Sequence, residues 1–291
     1  MGEFISILVA GVATGCLSAL VALGFIVTYK ATGVINFAQG GLVTLGAYLG
    51  YWLIVQVGVP RALAYVAALA LMFCFGMVVE RIAHRPLRSR PLLVVVIATL
   101  GIGLVIQSGL QTWQGSDPKH LSTPLDGKVL HVLGANIAYW DLLIVLVTAV
   151  VVTALMLMFS RTQIGRQFRA VSADPDVASL YGIPVARFGL IAFGLGGLLA
   201  GLAGLMMAPR GSLEISMGFD AMMTAFAAAV IGGFGRLGGV VIGALVLGLV
   251  QQLGSAYVSD SFTELYPFIV MIGVIAIWSQ GILGSEERVR V

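Results

Sequence analysis

Charge is scarce in this chain. Asp, Glu, Lys and Arg make up 10% of its 291 residues, against 59% hydrophobic ones, and its mean hydropathy is +1.03. A soluble protein of this length needs a charged surface, so that class is excluded. Cysteine is nearly missing too. Cys16 and Cys74 both lie inside apolar runs with no local partner, which suits small apolar packing residues and not a disulfide framework. His84, His120 and His131 are scattered, and no spacing among them suggests a metal site. No G-x-x-x-x-G-K-[ST] occurs, because Gly127-Lys128 is followed by Val129, so the chain carries no P-loop for ATP. No nucleophile, base and orienting group fall into a catalytic arrangement, and the chain reads as a non-enzyme without a cofactor of its own. The pI near 9.0 is no nucleic-acid signal, since the basic residues sit between apolar runs.

What is abundant is long apolar sequence. A bilayer-crossing helix takes about 20 mostly apolar residues. Nine runs are candidates: 5–27, 35–57, 62–79, 91–112, 141–160, 188–208, 221–235, 238–258 and 265–284. Run 221–235 is short and fits a broken or re-entrant segment. The runs are apolar all round and do not alternate, which argues against a β-barrel. The expected fold is all-α, a polytopic transmembrane bundle of about 8–9 segments, with 1–291 forming one domain. Glu3 and the lack of a basic n-region argue against a cleaved signal peptide, so the first span is expected to stay. Every charged residue falls at or beyond the end of a run. That weakens a proton- or ion-driven mechanism, although Na⁺ sites built from carbonyls stay open.

Basic residues favour cytoplasmic loops. With the N-terminus outside, alternation of the nine runs puts twelve of the sixteen Lys and Arg on one side: Lys30, Arg81, Arg85, Arg88, Arg90, Arg161, Arg166, Arg169, Arg187, Arg236, Arg288 and Arg290. Arg61, Lys119, Lys128 and Arg210 fall on the other. The stretch 161–187 and the C-terminal tail EERVRV are therefore expected in the cytoplasm. The stretch 113–140 is expected outside as a solvated loop with turns, either contacting an external partner or linking two spans.

The stretch 161–187 is unusual for its polarity and its helix punctuation. Ile164, Phe168 and Val171 fall on one apolar stripe, with Arg166, Gln167 and Arg169 off it. Asp174 is placed as an N-cap and Pro175 as the first helical residue, with Asp176 in the first turn suiting the helix dipole. Val177, Leu180 and Tyr181 share a face, Gly182 is placed as C′, and Pro184 prevents continuation. A short capped helix lying across the membrane surface fits two readings: an interfacial anchor, or a knob that docks in a groove of a cytoplasmic partner.

The segment TQIGRQFRAVSADPDVASLYGI resembles the coupling region of branched-chain amino-acid ABC transporter permeases, which show G-R-A-x-R-A-x-x-x-D-x-x-x-A-x-x-x-G-I here. The chain matches at Gly165, Arg166, Arg169, Ala170, Asp174, Ala178, Gly182 and Ile183, and departs at Gln167 from the usual small residue. GVINFAQGGLVTLGAY (33–48) is similar to the early N-F-A-x-G segment of the LivH-type subunit, and VIGGFGRLGGVVIGA (230–244) to its late glycine-rich segment. Length near 290 without an N-terminal extension favours the LivH-type over the LivM-type half.

The resemblance implies an importer in the bacterial cytoplasmic membrane, with two permease chains (this one and a LivM-type partner) forming the pathway. It implies two cytoplasmic ATPases that bind ATP and Mg, and an external solute-binding protein. Coupling to the ATPase would fall to Gly165, Arg166, Arg169, Asp174, Pro175, Asp176, Ala178, Leu180, Tyr181 and Gly182. The solute, whether a branched-chain or other amino acid, urea, an amide or an aromatic acid, is left open. The competing readings are a stand-alone carrier or channel for a small polar neutral solute, which leaves the capped helix without a task, and an assembly subunit with no pathway, whose polar residues inside the spans would tolerate apolar replacement.

Candidate pathway residues are fewer. Asn36, Phe37 and Gln39, beside Gly33, Gly40 and Gly41, fit either a broken helix lining a polar cavity or a turn whose amides cap helix ends. Thr99 and Gln107 are about two turns apart and share a face, suiting a pathway or a bond to a neighbouring helix. Gly232 and Gly233, with Gly235, Gly238, Gly239 and Gly243, fit a flexible gate or close helix packing.

Overall fold

The structure, a computed structural model, describes residues 2–88, 90–132 and 134–277. Each of the nine apolar runs holds a helix among its described residues, and three further helices lie between the runs. In order they are α1 (Gly2–Thr32), α2 (Gln39–Tyr51), α3 (Arg61–Val79), α4 (Arg85–Leu87), α5 (Leu92–Gln114), α6 (Tyr139–Arg161), α7 (Gln163–Ala173), α8 (Pro175–Leu180), α9 (Val185–Met207), α10 (Met217–Gly232), α11 (Leu237–Tyr257) and α12 (Tyr266–Ile277). A π-turn over Trp52–Gln56 prolongs α2, and another over Glu80–His84 joins α3 to α4. Among the described residues six helical stretches are long and apolar enough to cross a bilayer, while α10 and α12 are shorter apolar helices. The chain is thus a helical, multi-pass membrane protein. Residues 278–284 of the ninth run, and the tail with Arg288 and Arg290, lie outside the described residues.

Three local expectations are corrected. The third run does not stop at Val79: its helix continues to Leu87, carrying Glu80, Arg81 and Arg85 within it. Glu80 and His84 are buried there, with the His84 ring 5.4 Å from that of Phe193, so packing holds a helix that charge alone would end. The supposed short span 221–235 begins earlier, at Met217, and ends at Gly232. The stretch 113–140 is not simply loop: β1 (Val129–Val132) and β2 (Ala135–Ala138) pair antiparallel, with Gly134 at φ +78° between them.

The chain condenses into two compact units. In the first (1–23, 125–149 and 223–291), the start of α1 lies against α11 through Gly15, whose missing Cβ makes room for the backbone of Ala244 and Leu245. Asn136 of the hairpin donates its N–H to the Ser6 hydroxyl at 3.0 Å. The Tyr266 hydroxyl ties α12 to the end of α11 by donating to Gly254 O at 3.2 Å or Ser259 O at 2.7 Å.

In the second unit (24–124 and 150–222), α2 is the centre: all of its thirteen residues except Gly41 and Tyr51 are buried. It packs on α9, α5 and α3. The seam with α9 is made of backbone against backbone, since a Cβ on Gly204 would fall on Val43 O. Such close approach is how helices associate where lipid removes the hydrophobic driving force. The α9 helix also packs against α3, and its first turns carry Phe188 towards α7.

Candidate functional site

The stretch after α6 folds as its capping residues dictate. The Thr162 hydroxyl accepts the Gly165 N–H at 3.1 Å and starts α7. Phe168 is fully buried between the edges of Phe159 and Phe188, each ring centroid 5.2 Å away. The buried face of α7 is Gly165, Phe168 and Val171, which corrects the expected stripe: Ile164 is 49% exposed. Gly165 displaces it because its missing Cβ lets α7 lie on the carbonyls of Met158 and Phe159 at the end of α6. The Arg169 guanidinium donates to Phe159 O, occupying one of the carbonyls a helix end leaves free.

The next helix is capped at both ends. One Asp174 carboxylate oxygen accepts the N–H of Asp176 at 2.9 Å and of Val177 at 3.0 Å, and Pro175 opens α8. At the far end Gly182 has φ +78°. The Ile183 N–H reaches Ala178 O at 3.1 Å and the Gly182 N–H reaches Ser179 O at 3.0 Å, the paired bonds of a Schellman stop. Ala178 faces inward, whereas Leu180 is 85% and Tyr181 83% exposed, with Val177 beside them. The result is a six-residue helix that, with its C-cap Tyr181, presents three side chains left largely exposed by the described residues. Of the sequence-read coupling residues, Gly165 and Arg169 thus anchor α7, while Asp174, Pro175, Ala178 and Gly182 shape α8. Leu180 and Tyr181 form its outer face, and Arg166 and Asp176 are exposed.

The second cluster lies around the non-helical link between α1 and α2. Asn36 is buried, and its side-chain oxygen accepts the Ala38 N–H at 3.1 Å. The Thr99 hydroxyl accepts the Phe37 N–H at 3.2 Å and donates to Val96 O at 2.9 Å. Gln39 donates to Gly196 O on α9 at 3.0 Å. These three polar side chains serve the backbone of the link and the helix seam, which is how irregular backbone is kept among apolar helices.

Phe37 and Gln107 do something else: both line a cavity of about 270 Å³ between α2, α5 and the start of α10. Its apolar wall is Phe37, Leu100, Leu104, Ile215, Phe219 and Met222. Glycines 40, 41 and 103 and the side chains of Thr44 and Gln107 complete it, with no ionisable residue among them. Gln107 donates one amide N–H to Ile215 O at 3.4 Å, and the Thr44 hydroxyl accepts the Gly218 N–H at 3.2 Å. Leu104 and Phe219 are exposed at the mouth, so the cavity opens on the surface of the chain. Sequence reasoning missed Thr44, Leu100, Gly103, Leu104, Ile215, Phe219 and Met222, none of which stands out from the apolar and small residues around it. Gly232 and Gly233 belong to the other unit. There Gly232 lies against the backbone of Gly239 and Val240, and Gly233 turns the chain at φ +81°.

Among the described residues no cluster of His, Cys, Asp and Glu has the make-up of a metal site. Residues 7–275 match the family model described as the permease component of the branched-chain amino acid transport system. The chain is 32% identical over 294 residues to the high-affinity branched-chain amino acid transport system permease protein LivH of Escherichia coli K12, covering 97% of this chain and 96% of that one. It is likewise 32% identical over 302 residues to BraD of Pseudomonas aeruginosa, covering 99% and 98%. Among solved structures, an inward-facing metal-chelate-type ABC transporter superposes with a TM-score of 0.51 at 14% identity, over 94% of this chain and 84% of that one, a likeness of fold alone. The chain therefore belongs to the family of permease components of branched-chain amino acid transport systems.

Proposed function

We propose that this chain is one of two permease subunits of an ATP-driven importer for branched-chain or related amino acids, and that α8 is where a cytoplasmic ATPase takes hold. The observation that carries the reading is the doubly capped α8 with Leu180 and Tyr181 exposed. A helix of two turns is unstable alone. Here Asp174 and Gly182 fix it, and its apolar face is left for another protein. Anchored through Phe168 to the ends of α6 and α9, it would pass a movement of the ATPase to two membrane helices. ATP and Mg would bind to that separate chain, and an external binding protein would deliver the solute.

The distribution of Lys and Arg supports an N-terminus outside and 161–187 in the cytoplasm of a bacterium. Two glycines support a second, LivM-type permease chain against α5. Glycine costs a helix interior about 1 kcal/mol relative to alanine. A Cβ on Gly101 or Gly109 would meet no described atom within 4 Å, so packing among the described residues does not account for them. Close approach of another helix does.

The test is purification from native membranes in mild detergent, mass spectrometry of what accompanies the chain, and uptake in liposomes. The reading predicts a stoichiometric P-loop ATPase and uptake only with ATP. A chain recovered alone that transports without ATP would establish the stand-alone carrier instead.

A further inference from the structure

We infer that the cavity between α2, α5 and α10 is a subsite for the side chain of the transported amino acid, and that Gly103 sets the size of side chain it accepts. The inference rests on the importer reading and adds where, and by what, the solute is measured.

The cavity's size and lining limit what it can hold. At about 270 Å³ it has room for roughly nine waters at their liquid volume. That takes one aliphatic side chain with its α-carbon and is small for a peptide, while the apolar wall offers a sugar's hydroxyls few partners. No Asp, Glu, Lys, Arg or His lines it, so a charged group carried inside would lose its hydration without a counter-charge. An amino acid can enter only side chain first, with its ammonium and carboxylate left at the open mouth beside Leu104 and Phe219. Gln107 gives one N–H to Ile215 O, which leaves its carbonyl oxygen and second N–H to orient those charged ends.

The glycines of the wall are not equivalent. A Cβ on Gly40 would stand 2.9 Å from Gly218 O, and one on Gly41 3.1 Å from Gly103 O, so helix packing explains both. Gly103 differs. A Cβ there would lie 3.4 Å from Phe37 O and 3.6 Å from the Ala38 Cα, ordinary contact distances. Alanine fits and favours the helix. Packing within the chain therefore does not demand glycine at 103, whereas an occupant of the cavity does.

The experiment uses the whole importer, reconstituted in liposomes with its ATPase, partner permease and binding protein. ATP-dependent uptake of alanine, valine, leucine and phenylalanine is compared across variants of this chain alone, so selectivity of the binding protein cancels. Gly103→Val should lower the leucine-to-alanine ratio of kcat/KM by roughly tenfold or more, the discrimination a methylene commands in an apolar pocket, and Gly103→Ala should lower it less. Phe219→Ala, at the mouth, should raise phenylalanine relative to leucine. Leu63→Ala, exposed on α3, should leave all ratios alone. If Gly103→Val does not assemble, Gly103→Ala and Phe219→Ala decide. Uptake with unchanged ratios in these variants overturns the subsite while leaving the importer standing. No ATP-dependent amino-acid uptake by the unaltered complex overturns the importer reading and the subsite with it.

Discussion

Replacing Asp174 with alanine isolates one physical contribution to coupling. The carboxylate accepts two N–H groups, at 2.9 and 3.0 Å, in the first turn of a six-residue helix. Losing such a cap costs about 1 kcal/mol, roughly a fivefold shift of the local equilibrium away from the formed helix. Asp174 is exposed and its carboxylate bonds within α8, so insertion and folding of the rest should be untouched. Uptake and ATPase stimulation should therefore fall together, by up to about fivefold, with normal levels of chain in the membrane. Serine or asparagine at 174 keeps an acceptor and should restore most of the loss. The assay is ATP hydrolysis and uptake by the reconstituted complex, read side by side. Equal impairment by alanine, serine and asparagine would show that the charge of Asp174 matters and its capping does not. Wild-type behaviour of all three would show that a formed α8 is unnecessary.

Two further perturbations address the elements behind α8 and α2. Phe168→Ala empties the space between Phe159 and Phe188 and should cost about 3–5 kcal/mol of local stability. Its sign is hydrogen exchange or proteolysis rising at 161–184 while the membrane helices stay protected. Gln39→Leu removes the bond to Gly196 O and should destabilise the α2–α9 seam by about 0.6–2 kcal/mol. That should be read as a lower unfolding midpoint in detergent, with solute selectivity unchanged, since Gln39 does not line the cavity.

What was legible beforehand follows from the range of each interaction. The caps of α8 were readable because Asp174-Pro175 and Gly182 act within two to five residues of themselves, and the structure places them as the sequence predicts. The membrane helices were readable because each apolar run carries its own signal. The burial of Gly165 in place of Ile164 was not, since it depends on the carbonyls at the end of α6. The continuation of α3 through Glu80 and His84 was hidden because their burial comes from packing of the folded chain, His84 against Phe193 included. One side of the cavity was illegible for the same reason: Ile215, Phe219 and Met222 meet Phe37 only after the chain has passed through α3, α5 and α9.

The central claim, that an ATPase grips this chain through α8, is tested most directly by crosslinking. Cys16 and Cys74 would be replaced by serine, and Leu180→Cys or Leu104→Cys introduced singly into the complex in native membranes. A short thiol-to-amine crosslinker should join the chain to the P-loop ATPase from position 180 and not from position 104, with the yield changing when ATP is added. No ATPase adduct from position 180, or equal adducts from both positions, would contradict the account.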